Sequence, residues 1–463
     1  SKTSGRDAWA REDSRRTTIS AAPSIAGGAR DTVYQCHCAC NTVYDKLFSS
    51  ADGRARRVGV ESDPRSARSA TDARRLHTMR PSSTTPSRAR PPAAKRARTT
   101  RARASLSSPT VSPTSTRRAW VLSKKGNLKN LHLRTMESEP LGAADARVRV
   151  RAVGLNFADV FTALGLYAAA PEGAFTPGLE CCGEILEVGR DVDDFRVGDR
   201  VMCVKRFGAF ADEVTCPTTQ MRVLPREWSF EQGAGFLVQG LTSYYGLKRL
   251  GDAREKSTVL VHSAAGGCGL ASLGICERLG ATAIAVIGDA SKVETLKERF
   301  PKLRAIVVRD RKRFGAQVRE ACDAVGAVEG VDVVFDATLG DFFSGGWDNL
   351  ARGGRYVVYG AADMTPRGDY VGVFGWIKLA WKFLKRKKVD PLSLPGENKG
   401  ILGFNLIWQF DKTEELAALL AELDDLKLPA PKVGATFDFE ELPEALRLFQ
   451  TGKTTGKVVV RVD

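Results

Sequence analysis

The stretch VLVHSAAGGCGLASLGICERLG, residues 259–280, joins an apolar run to a cluster of small residues and then to a helical pattern. Within it Ala264, Gly266 and Gly269 satisfy (G/A)-x-G-x-x-G, with Gly267 and Cys268 inside the turn. Small residues serve one chemistry there. The backbone must turn tightly, approach a pyrophosphate closely and pack a helix on a strand, while the helix N-terminus faces the anion. An acid about twenty residues further on, at the end of the next strand, would bind the ribose hydroxyls of NAD. Here the run TAIAVIG ends in Ile287 and Gly288, with Asp289 displaced past that end and Ser291 and Lys292 following. A hydroxyl and an ammonium in place of an acid suit a 2′-phosphate, and Arg309 after the third strand adds a second cation. NADPH is therefore the expected cofactor; Asp289 is the residue that would favour NADH.

The surrounding elements supply the context that a lone glycine motif lacks. From about residue 240 to 408 strand and helix patterns alternate (STVLVHSAAGG, TAIAVIG, AIVVRD, VDVVFDA, GGRYVVYG and ILGFNL mark six strands), which predicts a doubly wound parallel sheet covered by helices. Before it, ARVRVRAVGLN, CCGEILEVG, DRVMCVK and DEVTCP are short strands broken by Gly, Pro and Asp, the pattern of a small β-barrel. After it, a helix at 414–428, then VGATFDF, ELPEALRLFQ and GKVVVRV, gives strand, helix, strand, and its last part is expected to return to the barrel. The expected organisation is an α/β protein: an extension over 1–117, the first part of the barrel domain over 118–238, the dinucleotide domain over 239–408, and a returning segment over 409–463.

The net charge of +16 sits almost wholly in the extension, where residues 1–118 hold 24 Lys/Arg against 9 Asp/Glu and the remainder 46 against 45. Basicity thus says nothing about what the folded body binds. From Ala73 through Met136 there is no acidic residue, while Arg, Ser, Thr, Pro and Ala dominate. That composition predicts an organellar transit peptide, plastid or mitochondrial, with Met79 as its natural start; the alternative is a basic disordered tail on a cytoplasmic protein. The absence of interleaved aromatics argues against nucleic-acid binding. No run of 18 apolar residues occurs, so no transmembrane helix is expected. The 10 cysteines are unevenly spaced and read as reduced thiols, and Cys36, Cys38 and Cys40 around His37 lack the paired arms of a zinc site.

GLNFADVFTALGLY, TPGLECCGEILEVG, GDRV, VLVHSAAGGCG and the closing TGKVVV resemble, in order and spacing over 118–463, the quinone oxidoreductase branch of the medium-chain dehydrogenase/reductase superfamily. Within it the chain is similar to the vesicle amine transport protein-one homologues, reductase-like proteins associated with membranes. The resemblance implies a GroES-like barrel, a Rossmann domain and a homodimer joined through the sixth-strand edge. Zinc-using members have Cys where this chain has Asn156 and His where it has Leu179. Glu180 alone cannot hold a tetrahedral zinc, so no metal is expected. What remains is hydride transfer to a quinone or an α,β-unsaturated carbonyl, whose developing oxyanion needs only hydrogen-bond donors and a proton. By the resemblance, Asn156, Asp159 and Tyr167 face nicotinamide and substrate, Gln239, Thr242 and Tyr245 line the cofactor cleft, and Lys453 approaches the 2′-phosphate. Phe161 stands where a tyrosine is frequent, which removes one candidate proton donor.

One segment fits a different class of function. VFGWIKLAWKFLKRKK, residues 373–388, sets Phe374, Trp376, Ile377, Trp381, Phe383 and Leu384 among Lys378, Lys382 and the basic run 385–388. Aromatics beside a basic cluster suit a membrane interface. The alternative reading is therefore a membrane-surface adaptor that binds NADPH with little turnover.

Overall fold

The computed structural model describes residues 115–463; the expected transit peptide and the Cys36, Cys38 and Cys40 cluster lie outside them. The first strand, β1 (Thr116–Leu122), pairs with β2 (Leu131–Glu137), so regular structure begins two residues ahead of the expected Arg118. In β3 (Asp145–Gly154) alternation does the folding: Ala146, Val148 and Val150 point inward and are buried, while Arg149 points out. β4 (Glu180–Val188), β5 (Arg200–Val204), β6 (Glu213–Pro217) and β7 (Met221–Val223) complete the first part of the barrel, with β4 between β3 and β5 and β6 on the other flank of β3.

The second layer system is a parallel sheet of β8 (Thr258–Val261), β9 (Thr282–Ile287), β10 (Ala305–Val308), β11 (Val331–Asp336), β12 (Leu350–Val358) and β13 (Gly400–Gly403). Its spatial order is β10-β9-β8-β11-β12-β13. Strand order reverses between β8 and β11, which opens a crevice at their carboxyl ends and makes that the place for a ligand. The four central strands are built mostly of buried residues, β8 entirely so, as a sheet covered on both faces requires. The chain then returns: β14 (Val433–Phe437) runs parallel to β15 (Lys457–Arg461), and β15 adds antiparallel to β3. The barrel is thus closed by residues more than 270 positions after its first strands, and β15 enters it directly from the crevice.

The helix Val373–Lys385 buries Leu379 and Phe383 and leaves Val373, Phe374, Ile377, Trp381 and Leu384 exposed, Phe374 to 87%. Trp376 is half-buried against the barrel core. The apolar residues of this helix therefore split between two faces, one packed and one open.

Candidate active site

β8 delivers the chain to the crevice through Ser263, a non-glycine residue at φ 51°, and a turn that runs into the helix Gly267–Leu279. Ala264 N–H donates to Val286 O at 2.9 Å and Gly266 N–H to Ser263 O at 2.9 Å, which fixes the turn on β9 and on itself. A Cβ on Gly269 would stand 2.3 Å from Ser263 O and 2.5 Å from Ala264 Cα, backbone atoms that cannot move aside. On Gly267 it would stand 2.0 Å from the side-chain amide of Gln239. Cys268 offers no thiolate, because burial pushes its thiol up to about 12; its carbonyl accepts from Ser243 Oγ (2.9 Å) and Ser272 Oγ (2.8 Å). Thr242 is buried and turns its hydroxyl back to Val238 O at 2.6 Å.

The end of β9 gathers the residues expected to choose the cofactor. Asp289 is spent locally, its carboxylate accepting from Ser291 N–H at 2.9 Å. Arg309 leans over Gly288, Nη2 3.1 Å from where a Cβ would be, stacked on Phe342 at 4.8 Å, with Nη1 buried and unpartnered. Burial holds its guanidinium below the usual arginine value. Lys292 is not a solvated helix-start residue. Its ammonium donates to Gly452 O (3.2 Å) and Thr454 O (2.8 Å), tying down the loop that carries Lys453. Lys453 lies near enough to Asp289 to lower its carboxyl pKa, behind the larger contribution of the Ser291 hydrogen bonds.

At the barrel side of the crevice Asn156 begins the helix Phe157–Ala163, and its backbone N–H donates to Asp159 Oδ2 at 2.7 Å. The Asn156 side chain is fully engaged. Its Oδ1 accepts from Lys457 Nζ (2.9 Å), and its Nδ2 donates to Glu180 Oε1 (3.0 Å) and to Gly154 O (3.3 Å). Glu180 is as completely occupied, with Oε1 also bound to Lys457 Nζ at 2.5 Å and Oε2 accepting from Val238 N–H at 3.0 Å. Both members of this ion pair are buried, Lys457 at 0% and Glu180 at 1% side-chain exposure. Asp159, nearby and also buried, has its carboxyl raised to about 7, by burial first and by the Glu180 charge, against the lowering hydrogen bond from Asn156 and the Lys457 charge. Tyr167 reaches across the crevice, donating to Asn405 Oδ1 at 2.8 Å, and burial pushes its hydroxyl well above the usual tyrosine value. Arg206 bridges the same gap to Asp411 (2.6 Å) and stacks on Trp408 (4.9 Å).

Two groups of the expected residues are thus brought together: Gln239, Ala264, Gly266, Gly267, Cys268 and Gly269 around the turn, and Ser291, Lys292, Arg309 and Lys453 around Gly288. Asn156 and Asp159 form a third with Glu180 and Lys457. Lys457 and Asn405 were not singled out by sequence reasoning, since no local spacing marks a lysine in a valine strand or an asparagine after a glycine-rich one.

A barrel whose last strand starts on the dinucleotide turn of a six-stranded parallel sheet is the architecture of a two-domain dehydrogenase. Residues 142–239 match the family model for the alcohol dehydrogenase GroES-like domain and residues 307–460 the model for zinc-binding dehydrogenase. The chain belongs to the medium-chain dehydrogenase/reductase superfamily. The synaptic vesicle membrane protein VAT-1 homologue of Danio rerio is 31% identical over 354 residues, spanning 76% of this chain and 71% of its own. Among solved structures, a mycobacterial protein complexed with NADPH superposes with TM-score 0.63 at 26% identity over 75% of this chain and 100% of its own. The CurK enoyl reductase does so with TM-score 0.61 at 28% identity over 75% and 99%.

Proposed function

We propose that this protein is an NADPH-dependent reductase that delivers hydride to a quinone or an α,β-unsaturated carbonyl without a metal. The observation that carries the cofactor assignment is the Arg309 guanidinium over Gly288, its Nη1 without a hydrogen-bond partner, where an NAD-selective protein would place an acid. The turn 264–269 would hold the pyrophosphate, and Arg309 with Lys453 the 2′-phosphate, while Lys292 keeps the Lys453 loop in place. The cofactor supplies the hydride. Tyr167, kept neutral by its raised pKa, would donate to the oxygen on which charge develops once its hydroxyl turns from Asn405 Oδ1. The metal-free reading rests on the donor set. Glu180 stands beside Leu179 and Asn156, with both carboxylate oxygens turned to Lys457, Asn156 and the Val238 amide, so no thiolate or imidazole joins it. The edge strand β13, unpaired on its outer side, is the surface we assign to a homodimer.

The test is fluorescence titration with NADPH and NADH, followed by oxidation against a panel of quinones and enals. NADPH should bind at least about tenfold more tightly than NADH, and Gly288→Asp, which sets a carboxylate against Arg309, should reverse that order. Preference of the wild type for NADH would sink the assignment to Arg309.

A second reading is favoured by one observation, the open apolar face of the helix Val373–Lys385 beside Lys378, Lys385 and Lys388. Such a face suits an anionic membrane surface, at about 1 kcal/mol per basic residue near it. In flotation with phosphatidylserine vesicles the wild type should rise with the lipid, and Phe374→Ser/Trp381→Ser should stay in the dense fraction. Vesicle binding together with NADPH binding but no turnover on any acceptor would make the adaptor the main function. Equal partitioning of wild type and variant would remove it.

A further inference from the structure

Lys457 is the first residue of β15 and is wholly buried where the barrel meets the cofactor turn. Buried ammonium groups are costly unless every proton finds an acceptor, and here three acceptors converge on one nitrogen. Asn156 Oδ1 lies at 2.9 Å and Glu180 Oε1 at 2.5 Å. The third is Gln239: with its amide oriented so that both ends are satisfied, Oε1 accepts from Lys457 Nζ at 3.0 Å and Nε2 donates to Gly235 O at 3.1 Å. The space for the lysine is made by glycines. A Cβ on Gly235 would stand 2.9 Å from Lys457 Cγ, and one on Gly154 would stand 2.8 Å from Lys457 Cε.

The same strand start is stitched to the turn through its backbone. Gly456 N–H donates to Ala265 O at 2.8 Å, in a parallel bridge between Gly266 and Gly456. One residue further, the Lys457 side chain holds Gln239, whose amide lies against Gly267, 2.0 Å from where a Cβ would be, so that any side chain there would have to displace the amide. Two adjacent residues of the barrel's closing strand therefore reach the cofactor turn, one by its amide and one through Gln239.

We propose that Lys457 is a positioning residue for the dinucleotide. It fixes the Gln239 amide against the Gly266–Gly267 backbone, so that cofactor affinity depends on a lysine of the other domain that never faces solvent. The proposal deepens the reductase reading and rests on it.

The test is a cycle in the full-length chain. Removing Lys457 alone would strand the buried Glu180 carboxylate, so both charges are removed together in Lys457→Met/Glu180→Gln. NADPH dissociation constants are measured for wild type, this double variant, Gln239→Ala and the combination, with the unfolding midpoint of each. The double variant and Gln239→Ala should each weaken NADPH about tenfold, and the combination should be no weaker than either, since both act through one amide. Losses that multiply, or an unchanged affinity in the double variant, would overturn the positioning role, because a lysine that only holds the fold has no reason to share its effect with Gln239. A second variant serves if the double one does not fold. Gly235→Ala displaces the Lys457 stem and alters no charge, and its weakening of NADPH should vanish in the Gln239→Ala background; persistence there would also overturn the proposal. Wild type that binds neither NADPH nor NADH would instead overturn the reductase reading itself, and this one with it.

Discussion

Glu180→Ala is expected to lose about 3–5 kcal/mol of stability, the cost of breaking a fully buried ion pair from one side. The Lys457 ammonium would keep Asn156 and Gln239 as acceptors but lose the carboxylate bonded to it, at a position with no side-chain exposure to bulk water. The variant also leaves the Val238 N–H without its acceptor and deprives Asn156 Nδ2 of the shorter of its two bonds, and unsatisfied buried groups cost about 1–3 kcal/mol each. Urea unfolding of wild type and variant at neutral pH measures the loss. Glu180→Ala/Lys457→Met should recover much of it, because a buried pair replaced by apolar groups is close to neutral. A single variant within about 1 kcal/mol of wild type would mean that the junction admits water or rearranges, and the ion pair would then carry little of the fold.

The unevenness of what the sequence reveals follows from how far apart the interacting residues lie. The parallel sheet was legible because each of its units writes its own period: an apolar strand, a turn and an amphipathic helix within about thirty residues. The turn Ala264–Gly269 was legible because close approach selects small residues there: a Cβ on Gly269 would meet the backbone of Ser263 and Ala264, and one on Gly267 the Gln239 amide. The network at the barrel junction was not. Lys457 meets Asn156 and Glu180 across 301 and 277 residues, and Tyr167 meets Asn405 across 238. Nothing local marks those partners. A lysine opening the run KVVVR has the composition of a strand end, and only the topology that threads β15 back beside β3 makes it interior. Lys292 shows the reverse. Its type and place suggested a free cation for a phosphate, but the return of the 451–455 loop supplies two carbonyls that occupy it. The helix Val373–Lys385 was ambiguous for a further reason: its aromatic residues are spread widely enough around the axis for one set to pack and another to face out.

Asp159 should make the protein lose stability as pH rises from about 4 to about 7. Its carboxyl is raised from 3.8 to about 7 in the fold, with burial as the largest cause. The sign follows from proton binding. Below the ordinary aspartate value both folded and unfolded states hold the proton, and Asp159 contributes no pH dependence. Between the two values the unfolded chain releases its proton while the folded one keeps it, so the unfolded state gains and stability falls. Above about 7 the fall is complete, at about 4 kcal/mol for a shift of this size. Glu139, Glu231 and Asp369, whose carboxyls are lowered, push in the opposite direction, so the wild-type curve alone is a mixture. Asp159→Asn isolates the effect, since its Oδ1 still accepts from the Asn156 N–H and it has nothing to titrate. Measured by urea unfolding from pH 4 to pH 8, the variant should gain on wild type through this window and exceed it at pH 8. A difference that stays flat would place the Asp159 carboxyl at its ordinary value, held ionised by Lys457. That outcome would also bear on turnover, because an ionised Asp159 puts its charge near Tyr167 at every working pH, whereas a carboxyl near 7 brings that charge in only as the solution becomes alkaline.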